Sequence, residues 1–89
     1  MIYITEIHLS AGGTLHEHIA SFRWTNPKDN KAGVNDKATL VDWIETGGVA
    51  KVHDGTKDVA VVVVDAAPRY LRSKEDGYLT DNLLKLPRF

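Results

Sequence analysis

Four histidines are the side chains of this sequence best suited to chemistry. His16 and His18 stand two apart, so on a strand both would project from one face. If a hairpin pivots about Gly12, His8 falls opposite His16 and Glu6 opposite His18. The same register sets Ile4 against Ala20 and Ile2 against Phe22, apolar against apolar. Glu6, His8, His16 and His18 would then offer imidazole nitrogens and a carboxylate, donors that suit zinc or copper. A turn centred on Gly12–Gly13 moves the register by one residue and sends His8 to the other face. The metal site therefore depends on a single register, and a solvated strand end is the simpler account.

Other catalytic arrangements are thin. There is no cysteine, and Ser10, Ser21 and Ser73 lie neither in a nucleophile elbow nor beside an evident base. His53, Asp54 and Asp58 surround one turn and could exchange protons, although aspartates are also what turns recruit. Gly12–Gly13 precedes no helix, and Gly47–Gly48 ends one, where carbonyls repel anions; neither is a phosphate loop. No catalytic constellation is recognised, and no cofactor is called for.

Binding residues are better represented. Arg23, Trp24, Arg69, Tyr70, Arg72 and Tyr78 interleave cations with aromatics, as single-stranded nucleic-acid binders do. Glu75, Asp76 and Asp81 intervene, and the formal net charge of −1 supplies no general attraction to phosphate or acidic lipid. Trp24 and Trp43 have apolar neighbours and read as core. Arg69, Tyr70, Arg72, Tyr78, Arg88 and Phe89 are of the types enriched at protein interface centres. A protein partner held by the C-terminal hairpin and tail is the preferred expectation. Single-stranded nucleic acid and a histidine-bound metal are the alternatives. A near-neutral charge also leaves a homodimer open.

The elements that would position these groups follow from local pattern. Ile2–Leu9 is β-branched, but its alternation slips, so either both faces are covered or a bulge lies near Thr5–Glu6. Ser10–Thr14 reads as a turn and Leu15–Trp24 as the returning strand. Thr25–Asn35 reads as a long polar loop. A helix is predicted over about Lys37–Thr46, capped by Asn35 or Asp36. Its stripe is Leu40, Val41, Trp43 and Ile44, and Gly47–Gly48 stops it. Val49–His53 and Asp58–Asp65 are strands about the turn Asp54–Lys57. The unbroken Val59–Val64 suggests a central strand or one covered on both faces. Tyr70–Lys74 and Tyr78–Asn82 form a hairpin about Glu75–Gly77, and the apolar tail Leu83–Phe89 packs back on the body.

The sum is a single 1–89 domain of α+β class, mostly antiparallel, in the order β-β-α-β-β-β-β. Its sheet should be curled or form a small, partly open barrel, with one amphipathic helix packed on it. Without cysteine, packing alone must stabilise it. No apolar run approaches a membrane helix and Met1–Ser10 lacks the basic start of a signal peptide, so a cytoplasmic protein is expected.

Three stretches carry a resemblance. Phe22–Arg23–Trp24–Thr25–Asn26–Pro27 is the first, and Val41–Asp42–Trp43–Ile44–Glu45–Thr46–Gly47–Gly48–Val49–Ala50 the second. The third runs from Tyr70–Leu71–Arg72–Ser73 through Asp76–Gly77 to Asp81–Asn82–Leu83–Leu84–Lys85–Leu86–Pro87. Together they resemble a family of short bacterial proteins known only as a domain of unknown function. The resemblance implies a free-standing bacterial domain and no activity, cofactor or catalytic residue.

Overall fold

The computed structural model describes all 89 residues. Its elements are β1 (Ile2–Leu9), a 3-10 turn (His16–His18), β2 (Ile19–Asn26), β3 (Lys31–Asp36), α1 (Lys37–Glu45), β4 (Ala50–His53), β5 (Asp58–Val64), β6 (Tyr70–Glu75) and β7 (Tyr78–Thr80). The strands form one mixed sheet, ordered β3-β2-β1-β4-β5-β6-β7, curled but not closed. The α+β, mostly antiparallel class holds, with β1–β4 the one parallel pairing. Parallel neighbours need a crossover; here β2, β3 and α1 together supply it.

The slipped alternation of β1 is a bulge. Pairing with β2 shifts between Ile4 and Glu6, so Thr5 is the extra residue. Ile2, Ile4 and Ile7 thereby all enter the core. Thirteen buried apolar residues make that core, with α1 adding Leu40 and Val41 and the tail adding Leu83.

The helix begins where Asp36 Oδ1 accepts from the Thr39 amide at 2.9 Å. It ends where Gly47 takes φ 110° and the Gly48 amide returns to the Trp43 carbonyl at 2.9 Å. Trp43 leaves the predicted stripe: 36% of it is exposed, and it lies against Gly48, where a Cβ would collide with the indole. On β5, Val59 and Val61 are buried while Ala60 is exposed, so the strand is central but only one face is fully covered.

Two further expectations fail. The Thr25–Asn35 loop is a hairpin, its second arm β3 antiparallel to β2 from Ser21↔Asp36 to Asn26↔Lys31. The order is therefore β-β-β-α-β-β-β-β. Tight reversal uses Asn30 at φ 57° and side-chain caps, Asn26 Oδ1 on Lys28 N and Asp29 Oδ1 on Lys31 N, each 3.0 Å. Trp24 lies across from Gly33, whose absent Cβ would stand 2.7 Å from Cζ2, and its Nε1 donates to Asn35 Oδ1 at 2.7 Å. The second failure is Leu15–His18, which is not strand but a loop ending in the 3-10 turn.

The tail does pack back. Leu83 is fully buried, and Leu84 and Leu86 lean on the core. The Ile7 amide donates to the Pro87 carbonyl and the Phe89 amide to the Ile7 carbonyl, both at 3.0 Å. Because β4 pairs with β1 only at Ile2 and Tyr3, the tail occupies the stretch of β1 that β4 leaves free.

Candidate functional site

The four candidate metal ligands separate. Neither Gly12 register is adopted: Glu6 pairs with Arg23 and His8 with Ser21. Glu6 Oε1 accepts from the Arg23 guanidinium at 3.0 Å. His8 is exposed, and its Nδ1 lies 2.6 Å from the Phe89 carbonyl, so that nitrogen carries the proton. His18 Nδ1 accepts the amides of Thr14 and Leu15 at 3.0 and 3.1 Å, which fixes its proton on Nε2. A nitrogen already accepting two N–H groups has no lone pair left for a metal. His16 is buried and sits instead beside β6. No group of three or more His, Asp or Glu side chains is arranged to hold a metal ion.

His16 has the least ordinary surroundings of the four. Its Nε2 is buried without a hydrogen bond, 3.8 Å from Asp81 Oδ1, and Arg72 Nε beside it is also unpartnered. Burial pushes the imidazole below the usual histidine range, and the Arg72 guanidinium adds to that; Asp81 and Glu17 oppose it. The neutral form is the one this site favours.

The six candidate partner residues do not make one patch. Arg69 reaches Glu45 at 3.3 Å and Asp65 at 3.7 Å. Tyr70 and Arg72 flank a small cleft with Leu15, His16 and Glu17, and Arg72 donates to Asp81 Oδ1 at 3.0 Å. Arg88 folds onto the carbonyls of Leu84 and Leu86. Phe89 packs between His8 and Arg23, whose guanidinium stands 4.6 Å over the ring. Arg69, Arg72, Arg88 and Phe89 are thus engaged within the chain. Tyr78 is not: 77% of it is exposed, next to Leu79 at 43%. Tyr70 begins β6 and Tyr78 pairs with Glu75 at its far end, roughly 17 Å away at the usual rise per residue. As for nucleic acid, Arg23, Arg69 and Arg72 each face a carboxylate within the chain.

Beneath Tyr78 the hairpin is fixed by a closed set of hydrogen bonds. The Asn82 amide donates to Ser73 Oγ at 3.1 Å, Ser73 Oγ to the Thr80 carbonyl at 3.1 Å, and Thr80 Oγ1 to Asn82 Oδ1 at 2.5 Å. Ser73 is fully buried, and this set leaves its hydroxyl neither a spare proton nor an unmet acceptor. Sequence reasoning missed the set; the Ser73, Thr80 and Asn82 types were visible, their convergence was not.

The acid–base candidates converge more than expected. Asp58 accepts from the Tyr3 hydroxyl at 2.7 Å and faces His53 Nδ1 at 3.0 Å. The Tyr3 hydrogen bond, then that of His53, holds the Asp58 carboxyl below its usual range, and the same bond raises the Tyr3 hydroxyl. Asp54 is lowered to about 2 because the amides of Thr56 and Lys57 and the Thr56 hydroxyl all donate to it. That is the work of a turn-forming aspartate, as the sequence suggests. His53 and Asp54 border an open cleft with Asn82 and Lys85, whose lining holds no serine, threonine or cysteine.

A family model described as Protein of unknown function (DUF3892) matches residues 3–87. No curated protein and no solved structure matches the chain.

Proposed function

The chain belongs to the DUF3892 family, and from that premise, which brings no reaction with it, we propose a non-enzymatic binding module that recognises a protein partner through its C-terminal hairpin. In this reading it works in the bacterial cytoplasm; no helix of the structure is long and apolar enough to cross a membrane. The observation that carries the reading is the edge strand β7, whose Tyr78 and Leu79 are both exposed and, as neighbours on a strand, stand on its two opposite faces. The Ser73–Thr80–Asn82 hydrogen bonds fix the hairpin backbone next to them, so little backbone ordering remains to oppose association. Tyrosine gives large contact area at low conformational cost, which is why it recurs among residues that dominate binding energy. Arg72 supports the hairpin by its ion pair with Asp81, Arg69 ties the chain just before β6 to Glu45 of α1, and Arg88 and Phe89 fasten the tail. They act as scaffold for Tyr78 and Leu79.

The test uses Tyr78→Ala with Leu79→Ser as bait beside the parent protein in a lysate of the native cells. A protein retained by the parent and lost by the variant, with the unfolding free energy unchanged within about 0.5 kcal/mol, is the expected result. Identical captures by both baits would remove the reading.

A further inference from the structure

The largest cleft in the molecule lies away from the hairpin, between β2–β3 and the first turns of α1. Its volume is about 370 Å³, within the range of small-ligand sites. Ile2 and Leu40 floor it, and Trp24 and Trp43 stand on its walls. Each indole is seated on a glycine, Trp24 on Gly33 and Trp43 on Gly48, at distances that leave no room for a Cβ. The two rings are thus held in place before anything binds.

No charged side chain lines the cleft; its polar groups are Asn26, Asn35 and Thr39. Both amides are turned the same way. Indole and backbone N–H groups can only donate, so the atom 2.7 Å from Trp24 Nε1 is the Asn35 oxygen, and the atom 3.0 Å from Lys28 N is the Asn26 oxygen. Each oxygen therefore already accepts a hydrogen bond, while neither Nδ2 donates one inside the protein. The Trp43 indole N–H is also free of any partner within the chain. The cleft offers N–H donors in excess of acceptors, between aromatic walls and without charge.

We propose that this cleft binds an uncharged, proline-rich peptide segment. Proline has no N–H, so such a segment presents carbonyl acceptors with few donors, and its rings pack against aromatic faces. Its extended left-handed helix is formed in advance, which lowers the ordering cost of binding. A saccharide fits less well. Each of its hydroxyls also brings a donor, and the lining has no carboxylate to receive it. Single-stranded nucleic acid would bring phosphates to a lining without a cation.

The experiment titrates the parent protein with a ten-residue polyproline peptide, following the side-chain amide signals of Asn26 and Asn35 and the tryptophan emission. Saturable shifts of both amides with a change in emission are expected. Asn35→Asp keeps the acceptor for Trp24 but removes the free donors, and should weaken binding about tenfold, two ordinary hydrogen bonds' worth. Trp43→Ala, a change at an exposed position, should abolish it. Tyr78→Ala should leave it untouched, which keeps this result independent of the hairpin reading. The proposal is overturned if no shift saturates at millimolar peptide, or if Trp43→Ala binds as the parent does. It is overturned equally if a glycine–serine peptide of the same length, a β-linked glucose hexasaccharide or an oligothymidine matches the polyproline affinity.

Discussion

β3 and β7 both end the sheet and both form the outer arm of a hairpin, yet β3 runs six residues and β7 three. Unpaired edges invite further strands, and a short edge is one defence. β7 uses it, and the residues around it are tied down by buried hydroxyls and by ion pairs such as Lys57–Glu75 and Arg72–Asp81. β3 is longer, with Lys31 and Asp36 at its ends, and beyond its ladder to β2 it is held by Trp24, which lies on Gly33 and bonds Asn35. The difference separates abundance of charge from availability for binding. Around β7 the arginines and acids satisfy one another, and what remains free is Tyr78 with Leu79. Beside β3 there are fewer polar groups, but several keep their donors free. Residue type alone ranks the two regions in the reverse order.

The contrast can be broken most severely from the β7 side. Leu83 is fully buried just beyond the Asn82 bond, so Leu83→Ala should cost about 2–5 kcal/mol, read as a lowered denaturant midpoint. Ser73→Ala strands the Asn82 amide and should cost about 1–3 kcal/mol by the same measurement. Should it prove neutral, the hydroxyl network is not what fixes that hairpin. On the β3 side, Gly33→Ala drives a methyl group against Trp24 and should cost about 1–3 kcal/mol. Its signature is local: the Trp24 indole signal moves while those of β6 and β7 stay. The smallest effect concerns His16. An imidazole lowered in the folded state resists a proton that the unfolded chain accepts near its ordinary value of 6.5. Its contribution is therefore full above that value and lost as pH falls through the folded pKa. The denaturant midpoint should decline from neutral to mildly acid pH, and His16→Leu should flatten that decline.

What was legible in the sequence was what local rules decide. The Asp36 cap, the Gly47–Gly48 stop, the turn at Asp54–Lys57 and the hairpin about Gly77 depend on a few adjacent residues, and each stands as expected. The β1 bulge was written in the slipped spacing of Ile4 and Ile7. β3 was hidden because its inward positions are Gly33, beneath the Trp24 indole, and Asn35, bonded to it, which leaves no apolar alternation to read. The His16–His18 segment was misread because a strand and a loop capped by its own imidazole share the same alternating pattern. Both tryptophans looked like core, and Trp24 does pack against it, but neighbours in sequence do not say that the Trp43 ring lies over a glycine at the surface. In the candidate hairpin the residue types were visible, and their pairing, which decides which of them are free, was not.

The bond between Ile7 and the tail has a consequence for how the sheet comes apart. Ile7 has no solvent-accessible surface, yet its amide is held by Pro87 at one end of a segment anchored chiefly by Leu83 and the Phe89 ring. Peeling that segment away uncovers the middle of β1 without disturbing its ladder to β2. Isotope exchange at this one central amide therefore reports a partial opening that stops short of global unfolding, while its buried neighbours on β2 wait for the whole molecule to unfold.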